Sequence, residues 1–225
     1  MIQNTAILIF ANSAEKDAER KSFLSADAIA ALNKDTLKKV KKSGITYFHF
    51  SEKNQVGANF GERFSNAIAS VFKKGYQNVI TIGNDTPHLK TSHILKAAHQ
   101  LEHNNLVLGP SKDGGFYLMG IKKAHFNKKA FVKLPWQTKL LNAYISKLSA
   151  SSNSSIAYLE LLNDLDAQED IATILESRFY INKDVLLILK KLFIFKKVTF
   201  YHLEKSIDSF LQPLYYNKGS PNLAV

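Results

Sequence analysis

Short apolar runs alternating with segments of helical period constrain this chain more than any other feature. "TAILIF" (5–10), "ITYFHF" (45–50) and "NVITIG" (78–83) have the length of buried strands, and "NLVLG" (105–109), "GFYLMGI" (115–121) and "SIAYLEL" (155–161) repeat the type. Between them lie helix signals. Ser25 can cap a helix carrying Ile29, Leu32 and Val40 on one side, and Asn59 precedes Phe60, Phe64, Ile68, Val71 and Phe72, with Glu62 placed as in a capping box. A third helix fits Ile94, Leu95, Ala98 and Leu101, opened by Thr91 or Ser92, and a fourth contains Tyr144 ahead of a Ser-rich break at 149–155. This alternation predicts an α/β three-layer sandwich with a mostly parallel sheet over residues 1–178.

Residues 179–225 have another texture. "DVLLILKKLFIFKKVTFYHL" is apolar, basic and aromatic, but lysine pairs interrupt it too often for a transmembrane helix. It predicts a helical appendage and tail packed on the main domain or on a partner subunit, and so a candidate homodimer contact. The rival is a helix lying on an anionic membrane surface. Burial of Leu186, Leu187 and Phe193 against protein is the expectation that separates the two.

Composition narrows the chemistry. A chain of 225 residues that is 45% hydrophobic can bury one substantial core. It contains no cysteine, so disulfides, thiolate metal sites and thiol nucleophiles are excluded, and any metal must sit on oxygen or imidazole. "MIQNTAILIF" has no basic leader or cleavage site and reads as a first strand, which makes the cytoplasm the default location. The net charge of +11 is spread over scattered lysine pairs, many near predicted helix ends, as expected of a solvated surface. No RNA-binding aromatic signature, zinc finger or basic heptad accompanies it, so nucleic acid is not the expected partner.

Ligands of open α/β sheets bind beyond the carboxyl ends of the strands. Acids stand at three such ends: Asp85 after "VITIG", Asp113 in the turn "GPSKDGGF", and Asp164 with Asp166 in "NDLDAQED". Carboxylates converging from separate strands suit Mg²⁺ or Mn²⁺, hard cations that bridge to substrate phosphates. Each acid also has a plainer reading: a turn for Asp85 or Asp113, a helix cap near Ala167 for Asp166. Gly114 and Gly115 would let backbone approach a ligand, or simply make a tight turn. Trp136 in "KLPWQT" could floor an acceptor pocket or belong to the core. The seven histidines show no metal-binding spacing, and G-x-S-x-G, P-loop and G-x-G-x-x-G motifs are absent.

Taken together, "QVGANFGERFSNAI", "VITIGNDTPHL", "LGPSKDGGFYLMGI", "LPWQT" and "DLDAQEDI" resemble, in order, the GT-A-like glycosyltransferase family known as radical-SAM or selenodomain-associated transferases, a domain of unknown function. The resemblance spans roughly residues 55–175. It implies a nucleotide-diphospho-sugar transferase fold, with the acid of G-x-D-x-P, Asp85 beside Gly83 and Asn84, associated with metal. The D-G-G motif falls on Asp113, Gly114 and Gly115, lining the donor or acceptor side, and G-E-R on Gly61, Glu62 and Arg63, with Arg63 meeting a phosphate.

One departure stands out. Such proteins commonly carry a basic loop resembling K-x-P-x-x-G-x-x-K-T-R-L after the first strand, whereas this chain has "ANSAEKDAERKSFL", without Gly or Pro and with high helix propensity. Asn12, Lys16, Arg20 and Lys21 remain to supply contacts to a nucleotide diphosphate, without a backbone-amide cradle.

These features lead to one expectation: a metal-dependent glycosyltransferase-like enzyme using a nucleotide-diphospho-sugar donor and a small-molecule acceptor. Asp85 and Asp113 would be catalytic, Asp85 and Asp166 would hold Mg²⁺ or Mn²⁺, and Gly114, Gly115 and Trp136 would meet substrate. The alternatives are a guanylyltransferase-like nucleotidyltransferase acting on a phosphorylated small molecule, and a binding module of the same fold that has lost catalysis.

Overall fold

The structure is a computed structural model and describes residues 2–151 and 154–194. Six strands form one sheet: β1 (Thr5–Phe10), β2 (Thr46–Phe50), β3 (Asn78–Ile82), β4 (Leu106–Pro110), β5 (Phe116–Lys122) and β6 (Ile156–Tyr158). Their order is β2-β1-β3-β5-β4-β6. β1 pairs in parallel with β2 and β3, and β4 with β6, while β5 runs antiparallel to both β3 and β4. The sheet is therefore mostly parallel, as its apolar runs predict, and β5 is the exception because a short turn joins it directly to β4.

Helices cover both faces: α1 (Ala14–Arg20), α2 (Ala26–Lys42), α3 (Phe60–Lys73), α4 (Thr91–His103), α5 (Lys128–Val132), α6 (Leu141–Ser151) and α7 (Asp170–Glu176), followed by α8 over 183–194. One face packs Ile7, Ile80 and Val107 with α4 residues Ile94, Ala97 and Leu101. The other packs Ala6, Leu8 and Val79 with α3 residues Phe64, Ile68 and Val71. Ser25 and Asn59 cap α2 and α3 through their side chains, and Glu62 reaches back one residue past the cap expected of it, accepting from Ala58 N and Asn59 Nδ2 rather than from Asn59 N. α4 differs from expectation. Its cap residue is Lys90, whose N–H meets His93 Nδ1, because the Thr91 hydroxyl donates instead to the Lys39 carbonyl of α2.

A third apolar cluster joins Ala14 of α1, Leu24 from the turn before α2, Ile29 and Leu32 of α2, Ile171 and Ile174 of α7, and Val185 and Leu189 of α8. Two of the C-terminal burial expectations fail. Leu187 is 58% exposed and Phe193 37%, while Leu186 is partly buried. The i, i+4 spacing of Val185 and Leu189 sets the inward face of α8, and Leu187, two residues from Val185, is turned about 200° away. The remainder of the proposed appendage, 195–225, lies outside the described residues. Among the described residues no helix is long and apolar enough to cross a membrane.

Candidate active site

Four fully buried positions of β3, Val79 to Ile82, carry the chain to its carboxyl end and release Gly83, Asn84 and Asp85 there. Across the sheet, the segment after β6 is fixed by Leu165: its side chain is buried, its N–H donates to the Asp85 carbonyl at 2.8 Å, and Asp164 and Asp166 flank it at the cleft. The β4–β5 turn adds Asp113, which accepts from Gly115 N at 2.9 Å and from the Ser111 hydroxyl. Gly114 makes this turn with φ +92, and a Cβ there would stand 2.6 Å from the Lys139 carbonyl. Two chain segments, the β4–β5 turn and the stretch after β6, thus bring carboxylate oxygens of Asp113, Asp164 and Asp166 within 4.8 Å of one another.

The electrostatics show a site short of positive charge. Burial and the neighbouring Asp85 hold the Asp164 carboxyl well above the usual carboxylate range, even though it accepts from the Thr86 hydroxyl at 2.5 Å. Burial and Asp85 also raise Asp166, against the opposing pull of Lys21. An all-oxygen set of this kind fits a hard divalent cation, and a cation would relieve the repulsion.

Among the described residues, Lys21 supplies the one buried ammonium. α1 ends at Arg20, and Lys21 closes it by donating its N–H to the Asp17 carbonyl. Its Nζ then reaches Asp85 Oδ2 at 3.1 Å, Asp166 Oδ1 at 3.0 Å and the Leu165 carbonyl at 2.7 Å. Burial opposes the charge, but Asp85 and Asp166 outweigh it and raise the lysine above its ordinary pKa.

The cleft encloses about 280 Å³ and gathers Asn12, Arg20, Arg63, Gly83, Asn84, Asp85, Asp113, Gly115, Trp136, Asp164 and Asp166. Lys16 stays outside it, exposed and paired with Glu19 at 2.5 Å, and Gly114 shapes the turn without lining the cleft. Asp85 stands slightly apart from the acid trio, facing Lys21. Asp166 does not cap α7; that segment is held by Asp170, which accepts from Asp166 N and Ala167 N. The stretch 14–20 is helical, so no glycine-rich amide loop replaces the missing motif.

Asp17 escaped the sequence reading. It is 3% exposed and accepts from Asn12 Nδ2 at 2.8 Å and Asn84 Nδ2 at 3.3 Å, with Arg20 at 3.5 Å. Asn12 and Asn84 thus orient a buried acid as well as line the cleft. The aromatic wall was also missed: Phe10, Phe60 and Phe64 pack edge-on or stacked against one another, and Phe60 and Phe64 pack against Trp136. Gly61 admits the tryptophan, since a Cβ there would lie 2.7 Å from the Val132 carbonyl and 2.8 Å from Trp136 Cδ1.

A mostly parallel six-stranded sheet with one reversed strand, and an acidic cleft at its carboxyl edge, define a GT-A-like α/β fold of the nucleotide-diphospho-sugar transferase type. Within that class the chain belongs to the family described as "Uncharacterized protein conserved in bacteria (DUF2064)", which matches residues 15–138. A solved protein from Desulfovibrio desulfuricans G20, provisionally assigned as a nucleotide-diphospho-sugar transferase, is 21% identical with a TM-score of 0.64, covering 84% of this chain and 95% of that one. Rv0371C from Mycobacterium tuberculosis H37Rv, solved with manganese, is 13% identical at TM-score 0.46, over 77% of this chain and 98% of its own. The 4-diphosphocytidyl-2C-methyl-D-erythritol synthase of Anaerococcus prevotii DSM 20548 is 11% identical at TM-score 0.42, over 77% and 97%. The last two likenesses are too loose to bear on chemistry. No curated protein matches the sequence.

Proposed function

We propose that this protein is a metal-dependent transferase acting on a nucleotide-diphospho-sugar. The observation that carries the reading is the convergence of Asp113 from the β4–β5 turn with Asp164 and Asp166 from the stretch after β6 onto one small volume, with Asp164 left short of positive charge. Mg²⁺ or Mn²⁺ held by these carboxylates would neutralise the donor diphosphate and the charge that develops on it as it leaves.

The chain's own groups have separate tasks. Lys21 clamps Asp85 and Asp166, fixing one side of the trio before substrate arrives. Asn12, Asn84 and Arg20 surround Asp17 on the adjoining wall, where Arg20, 58% exposed, can turn to a phosphate. Preorganised groups of this kind act by positioning and charge stabilisation.

Thermal-shift and calorimetric titration with nucleotide sugars and nucleoside triphosphates, with and without Mn²⁺, tests the reading on the wild type and on Asp164→Asn. Mn²⁺-dependent stabilisation by a nucleotide sugar, lost in the variant, is the expected result. Preference for a triphosphate would move the reaction to nucleotidyl transfer, and no response to metal or nucleotide would sink both and leave a binding module.

A further inference from the structure

The aromatic wall holds a charge that the metal chemistry does not use. Arg63 lies in the first turn of α3, half-buried, and lines the cleft. Among the described residues its guanidinium has no ion pair and no hydrogen bond. The nearest acid in sequence is already committed, since Glu62 spends its carboxylate on Ala58 N and Asn59 Nδ2 at the start of α3. A guanidinium carries five donors in a planar fork that matches a carboxylate or phosphate, and holding one partly desolvated without a partner is unfavourable unless a ligand completes it.

The surroundings of Arg63 state what else the ligand must offer. Phe60 and Phe64 stack at 5.5 Å, and Trp136 closes on them at 5.7 and 5.1 Å. The indole N–H is taken by the Phe131 carbonyl at 2.6 Å, so Trp136 presents ring surface and no donor. This wall belongs to the α3 side of the sheet, whereas Lys21 joins Asp85 and Asp166 through α1 and the segment before α7.

We infer that the Arg63–Phe60–Trp136 wall is a subsite for a small molecule with an apolar or planar body bearing a carboxylate or phosphate. On the transferase reading this molecule is the acceptor, with its anion at Arg63 and its reactive group turned toward the acids. Binding at the wall needs neither metal nor nucleotide, so it is tested apart from that reading.

Trp136 is the only tryptophan in the chain and reports directly on the wall. Its fluorescence is followed while metal-free protein is titrated with phenyl phosphate, phenylacetate, benzyl alcohol and inorganic phosphate. Saturable change with phenyl phosphate or phenylacetate is expected, the tighter of the two naming the anion. R63Q should weaken that binding about tenfold or more and leave weak binding of benzyl alcohol unchanged. Phe60→Leu should weaken the aromatic anions without affecting inorganic phosphate. Far-UV circular dichroism checks that both variants are folded. No saturable response to either aromatic anion, equal affinity in R63Q, or inorganic phosphate binding as tightly as phenyl phosphate would each overturn the inference. None of these results bears on the Mn²⁺ and nucleotide-sugar titrations, which decide the transferase reading.

Discussion

Lys21 Nζ stands 3.1 Å from Asp85 Oδ2 and is shielded from solvent, its side chain only 8% exposed. This ammonium is the buried counter-charge to Asp85 and Asp166, so its removal should be felt first as stability. Lys21→Met keeps the stem and deletes the charge. Breaking a fully buried pair costs about 3–5 kcal/mol, but Asp85 and Asp166 keep 28% and 49% exposure, so a loss of about 1–3 kcal/mol in urea unfolding is expected. Adding Asp85→Asn should recover part of it. Because the folded pKa of Lys21 is raised, its stabilisation is complete below the unfolded lysine range and disappears only in alkali above the folded value. The difference between wild type and variant should therefore be flat through neutral pH.

Asp164→Asn should act in the opposite sense. A carboxyl whose folded pKa is raised contributes stability at acid pH that is lost as pH rises through that folded value. The metal-free variant, still able to accept from Thr86, should be more stable at pH 7 by roughly 1 kcal/mol, with the gain shrinking toward pH 4. Mn²⁺ should stabilise wild type and leave this variant unchanged. Thermal melts across pH, with metal and with chelator, check both arms.

His88 gives a second pH signature. It is fully buried beside Phe179, and neither ring nitrogen has a hydrogen-bond partner of proper geometry, although the Ile174 carbonyl slightly favours the charged ring. Burial dominates and lowers its pKa to about 4. With the folded pKa depressed, stability is full above the unfolded value near 6.5 and falls as pH drops from there toward about 4, by up to roughly 3 kcal/mol. His88→Phe should flatten that limb of the stability profile, as read from urea midpoints between pH 7 and 4.

Gly61→Ala tests the closure of the aromatic wall. Its new methyl would meet backbone at Val132 and the indole of Trp136, and such overpacking costs about 1–3 kcal/mol. A red shift of Trp136 emission should accompany the loss, because the indole must move outward.

The legible parts of this molecule are those with a local signal. The inner strands β1, β3, β4 and β5 are buried on both faces and so read as continuous apolar runs, whereas the edge strands β2 and β6 are only partly covered, and Ser25 and Asn59 announce α2 and α3 through cap chemistry that depends only on neighbours. Asp85, Asp113, Asp164 and Asp166 were visible because they stand at strand ends. In the sequence Lys21 reads only alongside Lys16 and Arg20 as a diphosphate contact, and Asp17 is passed over, because their burial is created by partners far along the chain. Lys90 as a cap was equally hidden, since the Thr91 hydroxyl is diverted by α2. The facing of α8 depended on a cluster assembled from α1, α2 and α7, and a dense apolar stretch does not show which of its leucines that cluster accepts.

The contact from Lys21 to Asp166 joins residues separated by 145 positions. During synthesis the first strand and α1 leave the ribosome long before the segment that completes their ion bridge. A nascent chain ending at Thr138 would contain Lys21, Asp85 and Asp113 but lack Asp164 and Asp166. The acid trio is therefore a property of the finished sheet, and translation gates it: no stalled or truncated product ending before β6 can assemble it.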